Sequence, residues 1–249
     1  MTDYLNEFTK CLNSVESSKR NYDVFQDFLT CSTLALANTL LKDESIENEY
    51  LEIIKQYSKP ERLADLLGIT VLALEQKYHD FLGQVYMFNK FGNKNSGQFF
   101  TPYHISQFMS ECTFDDKSVQ KIIDKNKYIT VSDPCCGAGG MIIAFADTML
   151  QHGFNPQKQM IFQGIDIDDT CCKMSYIQTS LLGLTGEIAH GDSIAYKFWK
   201  YYTTPMTILN LDKYHYFKDK INEPTKNTHE EPRKEVLFNS NETVQLKLL

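Results

Sequence analysis

The chain has 249 residues, of which 42% are hydrophobic and 23% are charged, and its formal net charge is -7. This composition supports a folded protein with a sizeable hydrophobic core, and it excludes fibrous and wholly disordered proteins. The acidic balance argues against an autonomous nucleic-acid binder with a broad basic surface, although a local basic cleft or a partner can still contact DNA.

The first residues lack a basic region followed by an apolar core, and the longest uncharged apolar-rich run, residues 28–41, is too short to span a bilayer. We therefore predict a cytoplasmic protein without a membrane anchor. The seven cysteines include two adjacent pairs, Cys135-Cys136 and Cys171-Cys172, which suit neither a disulfide framework nor a zinc ribbon. Between reduced buried thiols and a metal site, we predict the thiols and no metal.

The first third of the chain has the spacing of amphipathic helices. Apolar residues recur at helical intervals, as at Phe25, Phe28, Leu29, Leu34 and Leu36. Pro60 is predicted to lie in the first turn of a further helix that runs toward residues 81–82. We assign residues 1–95 to a small all-helical domain.

After Pro102, short apolar or β-branched runs alternate with helical segments, as in parallel α/β structure. Strands are predicted at residues 128–132, 160–167, 187–190 and 206–209, and helices at 141–152 and 170–184. We assign residues 96–215 to a shortened, Rossmann-like, doubly wound sheet. The remaining residues, 216–249, are predicted to form a polar loop and a terminal hairpin.

A glycine-bearing turn, DPCCGAGG at residues 133–140, connects the first predicted strand to the next helix. Glycines let a ligand approach the backbone, and the free amides of a helix start attract anionic groups. The turn is either a tight connection or a cofactor loop, and the turns after the next two strands bear on this choice.

Acidic residues lie where the second and third predicted strands end: Asp166 at the end of the second strand and Asp192 in the turn after the third. The carboxyl ends of parallel strands line one crevice, where Asp166 can accept hydrogen bonds from ribose hydroxyls and Asp192 from an adenine amine. The alternative for Asp166 is a helix cap, a role that Asp168 or Asp169 also suits. The loop lacks the spaced G-x-G-x-x-G of nicotinamide dinucleotide sites, which favours S-adenosylmethionine over NAD and a dehydrogenase function.

Four segments in this order resemble the cofactor half of the N6-adenine DNA methyltransferases, particularly the modification subunits of type I restriction systems and their smaller relatives on mobile elements. They are GQFFTP (97–102), DPCCGAGGM (133–141), GIDID (164–168) and HGDSI (190–194), and the resemblance covers residues 91–210. It implies a methyltransferase sheet with S-adenosylmethionine as cofactor.

The resemblance assigns the methionine end of the cofactor to the GQFFTP segment and to Asp133 and Gly137, the ribose to Asp166, and the adenine to Asp192. The alternative for GQFFTP is an apolar linker that anchors two domains. The full set of predicted cofactor-binding residues is Phe99, Phe100, Thr101, Pro102, Asp133, Cys135, Gly137, Gly139, Asp166, Ile167, Asp192 and Ser193.

The catalytic motif of this family, Asp or Asn, Pro, Pro, then Tyr or Phe, is not intact in the chain. After the predicted fourth strand the sequence is Asn210-Leu211-Asp212-Lys213-Tyr214. If the protein is active, Asn210 would hold the target amine and Tyr214 would stack on the base. Two functions follow: a DNA adenine-N6 methyltransferase that acts on DNA through a partner specificity subunit, or an inactive cofactor-binding or interaction module of a restriction-modification or mobile-element system.

Overall fold

The computed structural model describes residues 3–92 and 100–210. Five helices form the amino-terminal part: α1 (Tyr4–Val15), α2 (Asn21–Leu41), α3 (Glu44–Ile54), α4 (Glu61–Gln76) and α5 (Phe81–Phe88). The predicted helical character is confirmed, but the single helix expected from Pro60 to residues 81–82 is wrong. The chain leaves helix after Gln76, and Asp80 caps a separate helix by accepting from the backbone N of Gly83 at 2.9 Å.

The second part combines a four-stranded sheet with six helices in the described residues, which confirms the mixed α/β class. The strands are β1 (Ile129–Asp133), β2 (Met160–Asp166), β3 (Thr185–Asp192) and β4 (Lys197–Thr203). The helices are α6 (Tyr103–Thr113), α7 (Asp116–Asn126), α8 (Gly140–Gln151), α9 (Pro156–Gln159), α10 (Asp169–Leu181) and α11 (Pro205–Leu209).

The sheet has the order β1-β2-β3-β4. Strands β1, β2 and β3 are parallel, and β4 runs antiparallel to β3. The first three predicted strands are therefore confirmed. Because the strand order advances in one direction, the reversal that defines a doubly wound sheet does not occur within the described residues.

The predicted strand at residues 206–209 is wrong, because this segment forms the short helix α11. Pro205 occupies its first turn, where the missing N–H costs nothing. Thr204 and Thr207 fix the helix to β3, since the buried amide of Gly186 donates to Thr207 Oγ1 at 2.7 Å. The fourth strand of the sheet lies earlier, at β4, and is an antiparallel partner of β3.

One hydrophobic cluster runs through the helical part and the sheet. Phe8 makes edge contacts with Phe25, Phe28 and Phe81 within the helical part. Helix α2 packs along α10, and Gln26 Nε2 donates to Thr170 Oγ1 at 3.0 Å across that contact. The helical part therefore covers one side of α10, while the predicted division of the chain near residue 95 stays a prediction.

Parts of the sequence-based interpretation fall outside the described residues. These are Phe99, Tyr214 and the terminal hairpin predicted within residues 216–249. Within residues 3–92 and 100–210, no helix combines the length and the hydropathy that a bilayer crossing requires.

His152 joins α6, α7 and α8 through two carboxylates. Its Nε2 lies 3.1 Å from Glu111 Oε2, and its Nδ1 lies 2.8 Å from Asp116 Oδ1. The hydrogen bond with Glu111, and next that with Asp116, raises the pKa of His152 above its ordinary value of 6.5. The protonated imidazolium is therefore favoured by the fold.

We expect His152→Gln to lower the melting temperature more in acid than in alkali. A pKa that is higher in the folded state contributes stability that is fully present below the unfolded value and is lost as pH rises through the folded value. The measurement is the difference in melting temperature between wild type and variant from about pH 5 to about pH 9. A difference independent of pH would show that the imidazolium makes no contribution.

Candidate functional site

The loop between β1 and α8 needs glycine at two positions. Gly137 has φ 55° and Gly139 has φ 91°, a region that side chains with a Cβ rarely occupy. A Cβ on Gly139 would also lie 2.7 Å from Ser175 Oγ. The loop is held against the neighbouring strand because Cys136 N donates to Ile165 O at 2.8 Å. The predicted unit of strand, glycine turn and helix is confirmed.

Asp166, the last residue of β2, is bonded to this loop. Its Oδ2 accepts from Gly137 N at 2.8 Å, and its Oδ1 accepts from Asp168 N at 2.9 Å. The cap of α10 is Asp168, which accepts from Thr170 N at 2.8 Å. Since each carboxylate oxygen has two lone pairs, Asp166 can still accept hydrogen bonds from a ligand.

Asp133, Asp166 and Asp192 end three neighbouring strands at one edge of the sheet. In the strand register Asp133 pairs with Gly164, two residues before Asp166, and Asp166 pairs with His190, two residues before Asp192. We call this end of β1, β2 and β3 the carboxyl edge. It brings the three acids together as the parallel order predicts.

Asp192 has a different local setting from the one expected for a strand-to-helix crossover. Its Oδ1 accepts from the backbone N of Ile194 and of Ala195, both at 2.9 Å. Residues 193–196, which include Ser193, form the turn of a hairpin into β4. The carboxylate thus shapes the turn and remains half-buried at the carboxyl edge.

Phe100 lies directly over the glycine loop. A Cβ on Gly137 would be 3.2 Å from Phe100 Cδ1, which is closer than most Cβ contacts, so the ring would have to shift to accommodate it. Phe100 also packs on Tyr86 of α5, with ring centroids 5.4 Å apart. Phe100 therefore lines one side of the carboxyl edge and connects it to the helical part. Thr101 and Pro102, directly before α6, are exposed.

The carboxyl edge is rich in hydrogen-bond acceptors. Burial raises the pKa of Asp133 above the ordinary aspartate value against the hydrogen bond from Cys135 N, and the charge of Asp166 raises it further. Burial also raises the pKa of Asp166, against the hydrogen bonds that it accepts. Within the part of the chain that the structure describes, no lysine or arginine forms an ion pair with Asp133, Asp166 or Asp192. Such a site favours hydroxyl and ammonium donors on a ligand.

Apolar and sulfur side chains border these acids. Ile167, directly after Asp166, is 63% exposed, and Ile194, two residues after Asp192, is 96% exposed. Cys135 is exposed in the glycine loop. The exposure of Cys135 and Cys112 departs from the prediction of buried thiols, whereas the other five cysteines are buried.

A buried polar network behind the loop was not found from the sequence. Gln178 Nε2 donates to Ala138 O at 2.8 Å and to Asp80 Oδ1 at 2.9 Å, and its Oε1 accepts from Leu82 N at 2.9 Å. Asp80 is 5% exposed, and this burial raises the pKa of its carboxyl. The network fixes the glycine loop to α5 and α10. The sequence signal that could have indicated part of it is Asp80 itself, an aspartate placed to cap the helix that begins at Phe81.

Asn210 lies away from the carboxyl edge. It follows α11 rather than a strand, and its Nδ2 donates to Thr185 Oγ1 at 3.2 Å. Thr185 and Asp192 are the first and last residues of the eight-residue β3, so they are about 23 Å apart. The structure therefore does not bring Asn210 to the predicted cofactor site, and the catalytic role predicted for it has no support in this placement.

Comparison with solved structures finds, among others, a putative class I S-adenosylmethionine-dependent methyltransferase from Listeria monocytogenes, with a TM-score of 0.44 and 16% sequence identity. The alignment covers 80% of this chain and 57% of the Listeria chain, so this chain spans less than two thirds of that protein. No curated protein matched the chain. The sequence profile of the N-6 DNA methylase family, however, matches residues 77–241, which is well over half of the 249 residues. The chain therefore belongs to the N-6 DNA methylase family.

Proposed function

We propose that the chain binds S-adenosylmethionine at the carboxyl edge and serves the transfer of its methyl group to the N6 amine of adenine in DNA. The observation that carries this proposal is the contact between two strand ends, in which Asp166 Oδ2 accepts from Gly137 N at 2.8 Å beneath the ring of Phe100. We also propose that the protein acts in the cytoplasm, where its cysteines stay reduced.

The residues at this edge fit the chemical groups of S-adenosylmethionine. Asp166 can accept from the ribose hydroxyls, and Asp133 from the ammonium of the methionine part. Asp192 can accept from the adenine amine, while the exposed side chains of Ile167 and Ile194 offer apolar surface to the ring. Gly139 lies in the glycine loop after Asp133, and Ser193 lies in the turn after Asp192.

The cofactor would supply an electrophilic methyl group, and the residues of this chain would position it. The carboxylates hold the ribose and the ammonium so that the methyl group has a fixed direction. The ring of Phe100 excludes water from one side of the glycine loop, which strengthens these hydrogen bonds.

Transfer to adenine also requires groups that handle the target base. The exocyclic amine needs oxygen acceptors, and an aromatic ring must stack on the base after it leaves the duplex. Within residues 3–92 and 100–210, Asn210 is at the opposite end of β3 from these acids. We propose that the target-handling loop comes from residues 211–249 or from a partner specificity subunit that delivers the DNA.

The second candidate function is an inactive cofactor-binding or interaction module of a restriction-modification or mobile-element system. The placement of Asn210, together with the sequence Leu211-Asp212 in place of two prolines, favours it. Both candidates require the cofactor site, and they differ in whether a methyl group is transferred.

The cofactor proposal is tested by titration calorimetry with S-adenosylmethionine, S-adenosylhomocysteine and NAD. We expect saturable binding of the first two in the micromolar range and none of NAD, because the loop is short for a pyrophosphate. Tighter binding of NAD would overturn the proposal in favour of a dehydrogenase. Transfer is then measured as labelled methyl groups in adenine of DNA, with and without a cognate specificity subunit. Cofactor binding without label in either mixture would assign the inactive module.

A further inference from the structure

Strand β4 carries exposed aromatic and basic side chains on an edge of the described sheet. Its sequence and the residue before it read YKFWKYYT, from 196 to 203. Trp199 is 57% exposed and Tyr196 is 62% exposed, and Lys197 and Lys200 are exposed as well. Tyr202, by contrast, is buried and packs on Tyr176 of α10. The strand is therefore anchored by Tyr202 and presents exposed aromatic and basic side chains, of which Lys200 has its Nζ 4.8 Å from the centroid of the Tyr202 ring.

A bulge explains why neighbouring residues of β4 face solvent together. His190 pairs with Lys200 and Gly191 pairs with Phe198, so Trp199 has no partner residue in β3. An extra residue in one strand interrupts the alternation of side chains between the two faces. Trp199 and Lys200 are consecutive and both exposed as a result.

The bulge connects this surface to the carboxyl edge. The rings of Trp199 and His190 make an edge contact with centroids 4.8 Å apart. The Nε2 of His190 lies 3.1 Å from the carbonyl oxygen of Ile167, the residue after Asp166. Trp199 is thus separated from the proposed ribose acid by one imidazole ring and one backbone unit.

The two lysines are a local positive charge on an acidic protein. Neither Lys197 nor Lys200 forms an ion pair in the described ranges, although the chain as a whole has a net charge of -7. Lysines on an edge strand also discourage pairing with other strands. Protection against such pairing does not explain the exposed Trp199, because an exposed aromatic side chain favours association with other molecules.

We propose that the β3–β4 hairpin binds single-stranded nucleic acid, with bases stacked on Trp199 and Tyr196 and phosphates contacted by Lys197 and Lys200. Sequence-tolerant stacking on aromatic rings beside a basic strip is the physical basis of such sites. The inference deepens the proposed function, on which it rests for its biological target, because a base held here lies beside the cofactor. Binding itself needs no cofactor and is measured without it.

Trp199 is the single tryptophan of the chain, so its fluorescence reports on this site alone. We expect a single-stranded oligonucleotide of mixed sequence to quench the emission in a saturable manner, and duplex DNA to quench it less. In anisotropy with a labelled oligonucleotide, Trp199→Ala should weaken binding about 5- to 100-fold, and Trp199→Phe should retain most of it. Lys200→Gln should reduce the salt dependence, by about 0.7 in the slope of log affinity against log salt concentration.

The variants also separate this inference from the cofactor proposal. Trp199→Ala should leave S-adenosylmethionine binding unchanged, and Asp166→Asn should leave oligonucleotide binding unchanged. The inference is overturned by the absence of quenching, by unchanged oligonucleotide affinity in Trp199→Ala, or by equal quenching with polyglutamate. If the wild type did not bind S-adenosylmethionine but its fluorescence was still quenched by the oligonucleotide, only the proposed function would be contradicted.

Discussion

Asp166→Ala is expected to weaken S-adenosylmethionine binding by about 100-fold or more. Each hydrogen bond from a ribose hydroxyl to a carboxylate contributes about 1.5–3 kcal/mol, and two of them account for this loss. The variant also leaves Gly137 N without the acceptor that it has at 2.8 Å, so the glycine loop loses a contact as well. Titration calorimetry on the folded variant measures the effect.

Two isosteric variants separate ribose binding from support of the loop. Asp166→Asn keeps one oxygen that can accept from Gly137 N, but it removes the charge and the oxygen that accepts from Asp168 N. It should therefore lose affinity with a smaller loss of stability than Asp166→Ala. Asp168→Asn retains the cap of α10, where Asp168 accepts from Thr170 N, and should bind the cofactor as the wild type does. Equal affinity in wild type and Asp166→Ala would place the cofactor elsewhere.

The pH dependence of binding provides a further check on Asp166. Its pKa is raised by burial, so the carboxylate becomes protonated at a higher pH than an exposed aspartate does. Affinity should therefore fall as the solution is acidified through that raised pKa. In Asp166→Asn this fall should be smaller, because the part that comes from Asp166 is removed and only Asp133, whose pKa burial also raises, still becomes protonated.

The acids of the site were predictable because parallel strands place their carboxyl ends on one edge. Each of the strands β1, β2 and β3 ends in an aspartate: Asp133, Asp166 and Asp192. No contact between distant residues had to be known for that prediction, only the direction of the strands. The position of Phe100 on Gly137 came from resemblance, since the sequence alone does not place a linker residue over a loop.

The fourth strand was not predictable by the same reasoning. Residues 206–209 are apolar, and four apolar residues suit a helix as well as a strand. The deciding signal was Thr204-Pro205, a start of a helix, which α11 uses. The actual strand β4 has exposed lysines and a bulge at Trp199, so it lacks the clean alternation that marks a strand.

The helix α11, in place of the predicted fourth strand, changes the position of Asn210, the residue that matches the family's catalytic motif. With residues 206–209 as a strand that ends at the carboxyl edge, Asn210 would have faced the cofactor. Helix α11 is instead bound to the start of β3 through Thr204 and Thr207. Asn210 therefore lies at the opposite end of β3 from the carboxyl edge, where it donates to Thr185. The described residues therefore contain the proposed cofactor site without Asn210, next to a hairpin with an exposed aromatic surface.

Gly186→Ala is expected to destabilise the protein by about 3 kcal/mol or more, because it overpacks the centre of the sheet. A Cβ at this position would lie well inside van der Waals distance of both the ring and the carbonyl oxygen of Phe162, and the carbonyl oxygen cannot rotate away. Gly186 also exchanges hydrogen bonds with Thr207, so a shift of β3 would disturb α11 too. A loss of this size is a large part of the stability of a typical domain, about 5–15 kcal/mol.

Gly68→Ala is the matched control, because the same methyl group is added where there is space. Gly68 is exposed within α4, and a Cβ there would meet no atom within 4 Å. Alanine should therefore stabilise the helix by about 0.5–1 kcal/mol. Urea unfolding measures both variants, and an unchanged slope against urea would show that the midpoint shift reports stability. If Gly186→Ala unfolded at the wild-type midpoint, β2 and β3 would have to be farther apart at Phe162 than the structure places them, and with them Asp166 and Asp192 at their carboxyl ends.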